Sequence, residues 1–228
     1  MRSLFRTDSV FRDVLALCAA GFVVGLSYGA IASAAGFPPS QIAAMSALVY
    51  AGGAQFLAIG IVGAGGTAVA VVLAGLLLNA RHLPFGLAIG ADAIGRSWPA
   101  RLLGSHLMTD ESVAFALAQQ EPAKRRRVYW LTGVALFVTW NTSSLIGAVA
   151  GSALGEPERF GIDAAFPAAL LALLLPSLRD KPALRVALAG AALALLATPF
   201  VPAGLPVLVA LLGLVFALPV PDRMKVAR

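Results

Sequence analysis

From Val14 to Ala80 the chain contains no Asp, Glu, Lys, Arg or His. Val128 to Gly155 and Val186 to Pro221 are equally free of charge. An apolar tract longer than about 18 residues can span a hydrocarbon core roughly 30 Å thick. Membrane strands would alternate polar and apolar residues over about 10 positions. These tracts are apolar all round and rich in Leu and Ala, so the expected fold is all-α, a polytopic transmembrane helix bundle. Composition agrees: 59% of residues are hydrophobic, 12% are charged and mean hydropathy is +0.86. A soluble domain carries roughly 25% charged residues.

The net charge of +6 does not point to nucleic acid. Basic residues fall in short clusters between apolar tracts: Arg2, Arg6 and Arg12; Lys124 to Arg127; Arg179, Lys181 and Arg185; Arg223, Lys225 and Arg228. That is the pattern of the positive-inside bias. The N-terminus, the Lys124–Arg127 cluster, the 179–185 loop and the C-terminus are therefore expected in the cytoplasm, with Glu156, Glu158, Arg159 and Asp163 outside. The apolar stretch from Val14 to Phe37 exceeds a signal-peptide core of about 7–15 residues, so a retained first helix is expected. Cys18, the single cysteine, reads as a small buried hydrophobe.

The expected hydrophobic segments are Val14–Ala35, Gln41–Val62, Thr67–Ile89, Leu102–Ala118, Val128–Ala153, Ile162–Leu178, Ala183–Ala197 and Pro206–Pro219. Together they form one integral membrane transporter domain over residues 1–228, with no recognisable sequence repeat. Ser40 is a candidate N-cap for the second segment, and 63–67 a tight hairpin. Both termini inside require an even number of crossings. Eight satisfies this, and six does if two segments are re-entrant. Short or interrupted segments are frequent in transporters, whose broken helices meet at the midplane.

An ionisable side chain near the bilayer centre costs at least about 2.5 kcal/mol, so it persists when paired, wet or functional. Asn79-Ala80-Arg81-His82 is the first candidate site. A helix beginning near Thr67 would carry Arg81 roughly 21 Å inward at about 1.5 Å per residue. Asn79 and His82 would share a face, and Pro84 would release backbone carbonyls one turn earlier. This block suits a substrate carboxylate; alternatively Arg81 snorkels or pairs with an acid on another helix. In Ser105-His106-Leu107-Met108-Thr109-Asp110-Glu111, His106 and Asp110 would share a helix face. Asp110 or Glu111 could receive an ammonium, carry a proton or pair with Arg81. Gly52-Gly53 permit an unwound turn whose N–H groups suit an anion, or else close helix packing; Gln55 adds a donor and an acceptor. Trp140-Asn141-Thr142-Ser143-Ser144 reads chiefly as interhelical hydrogen bonding. No metal-ligand spacing, phosphate-binding loop or nucleophile elbow is present, so no metal, cofactor or ATP hydrolysis is expected.

Four blocks, in this order, resemble the AzlC family, the large subunit of two-component branched-chain amino acid exporters. They are Tyr28-Gly29 with Gly36, Tyr50-Ala51-Gly52-Gly53-Ala54-Gln55-Phe56, Leu78-Asn79-Ala80-Arg81-His82, and Met108-Thr109-Asp110-Glu111. The chain departs from the family pattern at Ala80, at Pro84-Phe85 and at Val24-Gly25-Leu26-Ser27. The resemblance implies an inner-membrane secondary exporter of small hydrophobic amino acids, working with a small AzlD-type membrane subunit. On that basis Arg81 or the Gly52-Gly53 turn would hold the carboxylate and Asp110 or Glu111 the ammonium. Gln55, Asn79 and His82 would line the same site. An intramembrane enzyme using His106 and Asp110, or a channel-forming or structural subunit, are the competing classes.

Overall fold

The computed structural model describes residues 4–153, 171, 175, 177–201 and 205–217. Every regular element among these residues is helical. Helix α1 spans Leu4–Ala34, α2 Pro39–Leu48, α3 Gly52–Gly63, α4 Ala68–Asn79, α5 His82–Ile94, α6 Trp98–His106, α7 Asp110–Leu117 and α8 Pro122–Ala153. Toward the C-terminus follow a short 3-10 turn at Ser177–Arg179, α9 at Lys181–Ala197, and α10 at Leu205–Ala210, which runs into a 3-10 segment at Leu211–Ala217. The expected Ile162–Leu178 segment and the acidic loop before it lie almost wholly outside the described residues, as do both chain ends.

Helices α1 and α8 form the frame. They run parallel, because successive glycines of one meet successive positions of the other. Gly21 faces Leu136, Gly25 faces Ser143, Gly29 faces Ser144 and Ala148, and Gly151 faces Ala30 and Ser33. A Cβ on Gly29 or Gly147 would fall on the backbone of the partner helix. Small residues thus let the two backbones approach closely, which in a membrane supplies packing that lipid cannot. The parallel run brings Arg12 to the same end as Lys124–Arg127.

The second and fourth expected segments are not straight. Residues 41–62 divide into α2 and α3 at Tyr50, whose φ of 43° is left-handed. Ser46 accepts a 3.4 Å hydrogen bond from Gln55. Residues nine apart in an unbroken helix would stand about 13 Å apart along the axis, so the chain reverses here. Residues 102–118 divide into α6 and α7 at 107–109 and also reverse. Tyr129 of α8 donates to Gly104 O of α6 at 2.7 Å and packs in one cluster with Val113 and Ala116 of α7. The α2–α3 hairpin descends from the end remote from the basic cluster; the α6–α7 hairpin rises from the basic end. Between them α4 and α5 make one traverse, bent by 49°. Its break follows from Pro84, which has no N–H for the Ala80 carbonyl and whose ring would clash with it.

By length and composition two helices can cross a membrane, Val10–Ala34 and Pro122–Ala153, or three if the bent α4–α5 pair counts as one span. The expected six to eight crossings are not reached among the described residues, because two of the expected spans are hairpins. The order is nonetheless regular. A traverse (α1) followed by a hairpin from its far end recurs as a traverse (α4–α5) followed by a hairpin from its own far end, in the opposite direction. The two units share the order of their elements and differ in direction. At α2 the N-cap is Pro38, with Pro39 in the first turn, rather than Ser40. Thr67 caps α4 by accepting from Ala70 N at 3.2 Å.

Candidate functional site

The two hairpin tips meet halfway along α8. Tyr50 from one tip and His106 from the other both pack on Phe137, with ring centroids 4.9 and 5.7 Å away, and lie 5.9 Å from each other. His106 Nε2 is 2.8 Å from Ala47 O, one of the carbonyls left free where α2 ends. The α4–α5 break reaches the same level. Three helix interruptions, at 49–51, 80–81 and 107–109, therefore converge.

Two charges face each other there. Arg81 occupies the N-cap of α5 and donates through Nη1 to Asp110 Oδ2 at 2.6 Å. Asp110 is the first residue of α7, where the partial positive charge of the helix end favours a carboxylate. Thr109 and Ser112 close a reciprocal capping box over that end. The second oxygen, Asp110 Oδ1, is buried and has no hydrogen-bond partner. The two side chains remain 43% and 42% exposed on the protein, so the pair is not sealed in the core.

The α3 N-terminus is the third component. Its N-cap, Ala51, offers no side-chain hydrogen bond, so the first N–H groups of α3 are left for another acceptor. A Cβ built on Gly53 would lie 3.9 Å from Arg81 Nη2 and 3.4 Å from Leu78. A Cβ on Gly52 would lie 2.9 Å from the Trp140 ring. Gly52 is required by the close indole, whereas a methyl group at Gly53 would make ordinary contacts. The unwound turn exists, three residues wide, ahead of Gly52.

The other expected site residues are placed less centrally. Gln55 is fully buried and both ends of its amide are occupied: Oε1 accepts from Trp140 Nε1 at 3.0 Å and Nε2 donates to Ser46. It holds the α2–α3 hairpin to α8 and is not free to orient a solute. His82 Nδ1 lies 3.0 Å from Asn79 O, and its ring meets Phe85 edge-on at 6.0 Å. Asn79 ends α4, with a buried Oδ1 lacking a partner. Glu111 is exposed, with no ion pair among the described residues. His106 and Asp110 do not share one helix face, because the chain reverses between them. Asn141 turns back to Phe137 O at 2.9 Å.

Tyr50, Phe137 and Trp140 belong to the site, although the sequence alone does not single them out as ligands. Trp140 is legible only as part of a polar cluster; its partner Gln55 is 85 residues away. Tyr28 stacks on Trp140 at 5.7 Å and completes the support beneath the α3 turn.

The family model described as AzlC protein matches residues 16–154, which hold the frame, both hairpins and the broken traverse. The inner membrane protein YgaZ of Escherichia coli is 30% identical over 192 residues, 79% of this chain and 77% of that protein. An uncharacterized membrane protein of Helicobacter pylori is 26% identical over 144 residues, 62% of this chain and 63% of the relative. No solved structure matches. With more than half its length under the family model, and a relative sharing nearly four-fifths of it, this chain is a membrane protein of the AzlC family.

Proposed function

We propose that this chain is a secondary exporter of small hydrophobic amino acids, whose zwitterion exchanges for the Arg81–Asp110 ion pair. The observation that carries this is the pair itself: opposite charges 2.6 Å apart, half-exposed, where three helix breaks converge. An α-carboxylate would be held by Arg81 and the uncapped N–H groups of α3 beside Gly52 and Gly53. The ammonium would take Asp110, whose Oδ1 is already free of partners. Leu78 and Trp140 border the same turn and would receive the apolar side chain.

Magnitudes favour exchange. Simple opening would strand two charges at membrane depth, each costing at least about 2.5 kcal/mol. A zwitterion supplies both charges at once, and neither protein charge is left alone in a low-dielectric space. The hairpins entering from opposite ends suit alternating access, with either tip able to part while the other holds. The polarity of the basic clusters supports cytoplasmic N- and C-termini. Family membership supports an inner-membrane location, a branched-chain substrate and a small AzlD-type partner subunit. No step requires catalysis by the chain.

The test is efflux of labelled leucine from liposomes, with and without the small partner. Arg81→Gln and Asp110→Asn should each abolish saturable efflux while protein remains inserted in the bilayer. Undiminished efflux by both variants would overturn the site. Flux that never saturates and ignores Arg81 would favour a channel.

A further inference from the structure

A largely apolar cleft lies between α5 and α6, running from the Arg101 end of α6 inward to Met108. The cleft has a volume of about 230 Å³, and its lining includes Gly86, Gly90, Ala91, Arg101, Ser105 and Met108. We infer that it is a binding site for an anionic phospholipid, with the phosphate held by Arg101 and Arg126 at the mouth and an acyl chain running inward toward Met108.

The depth of the lining residues sets this polarity. Ile94, also on the wall, accepts a hydrogen bond from Trp130 Nε1 at 3.3 Å, and a Cβ on Gly95 would lie 3.2 Å from Arg126 Nη2. Both contacts are on the first turns of α8, beside Lys124–Arg127 and the Tyr129–Trp130 pair, where headgroups are expected. Gly86 and Met108 lie deeper, within 3.8 Å of each other once a Cβ is added to Gly86. One end of the cleft is thus basic and interfacial, and the other is apolar.

Backbone geometry keeps it open. Gly90 interrupts α5 with a φ of 64°, and Gly95 ends it with a φ of 115°. Both are left-handed values at which a side chain would be strained. Gly90 leaves the cleft wall without a side chain, and Gly95 leaves room beside the Arg126 guanidinium. Neither Arg101 nor Arg126 has a carboxylate partner among the described residues, whereas Arg81 is paired and Arg96 faces Asp92 at 3.8 Å. Ser105 adds a hydroxyl. Trp98, 74% exposed, begins α6 three residues before Arg101, where an interfacial aromatic is expected. Basic pockets between membrane helices at the positive end are suited to phosphate headgroups. The proposal does not depend on the identity of the exported solute.

Phospholipid retained by the purified full-length protein is measured by native mass spectrometry, after exchange into mixed micelles of phosphatidylglycerol and phosphatidylcholine. Wild type should retain phosphatidylglycerol preferentially. Arg101→Gln and Arg126→Gln should each lower its retention roughly fivefold, while Lys124→Gln, which removes a charge from the same cluster away from the cleft, should change it less than about twofold. Ala91→Phe fills the apolar part and should also lower retention with no loss of charge. Equal losses in all the charge variants would mean general surface attraction, and would overturn the site. So would retention unchanged by Ala91→Phe together with full displacement by inorganic phosphate, which would mark a free-anion site. A variant that raises the KM for solute efflux and leaves lipid retention intact would make the cleft a solute path and equally overturn it. Insertion and tryptophan fluorescence of each variant identify any that fail to fold; for those, Arg101→Met, Arg126→Met and Ala91→Leu replace them.

Discussion

Arg81 and Asp110, 29 residues apart, are joined at 2.6 Å because two separate helix interruptions bring an N-cap and a helix start to the same level. Their contact joins the central traverse to the hairpin from the basic end. A swapped pair, Arg81→Asp with Asp110→Arg, keeps the Coulomb attraction but moves each charge. The carboxylate introduced at position 81 would then face the α3 N-terminus, and the guanidinium introduced at position 110 would oppose the α7 helix end. Thermal stability of the double variant should fall by no more than about 1 kcal/mol. Efflux should be lost. Scanning fluorimetry and liposome efflux on the same preparation check both outcomes.

The α1–α8 crossing should be intolerant of one methyl group. A Cβ on Gly29 would meet the Ser144 carbonyl and the Ala148 amide, both backbone. Overpacking of this kind costs typically about 1–3 kcal/mol, and more where backbone must move. Gly75 in α4 has nothing within 4 Å of the place a Cβ would take. Gly75→Ala should therefore be neutral or stabilise by up to about 1 kcal/mol, as expected in a helix interior. Melting temperatures in detergent compare Gly29→Ala and Gly75→Ala directly.

Trp140→Phe should destabilise more than its lost volume suggests. It removes the donor to Gln55 Oε1, a buried acceptor. An orphaned buried polar group costs about 1–3 kcal/mol. Gln55→Leu in the same background should recover part of the loss, which a double-mutant cycle measures.

His106→Leu should loosen the contact between the hairpin tips. Ala47 O would lose its 2.8 Å partner, while the ring packing against Tyr50 and Phe137 would be only partly replaced. Amide exchange at Val49, Tyr50 and Ala51 should accelerate by about tenfold or more, the equivalent of roughly 1.4 kcal/mol of local opening. Exchange mass spectrometry on peptides covering 45–56 reads this.

The sequence discloses composition-driven features well. Membrane helices, the α1 and α8 tracts, the basic clusters and the polar blocks around Arg81 and Asp110 all follow from the cost of charge in hydrocarbon. Gly52-Gly53 lie next to the break and not in it: both are helical, and the unwound residues are 49–51. The reversals at Tyr50 and Leu107 are not legible. Each joins two apolar helices whose combined length equals that of one span, and hydropathy does not record direction. Gln55 reads as a solute ligand because it is polar within an apolar tract. Its partners, Trp140 and Ser46, are brought to it only by the hairpin and the α8 crossing.

Exchange of the ion pair for a zwitterion is tested most directly by competition. Efflux of labelled leucine from liposomes is measured against unlabelled leucine, leucinamide, which lacks the carboxylate, and N-acetyl-leucine, which lacks the ammonium. Leucine alone should compete, with each analogue weakened at least about tenfold, in keeping with the loss of one charged hydrogen bond of about 1.5–3 kcal/mol. Equal competition by all three would contradict recognition through Arg81 and Asp110.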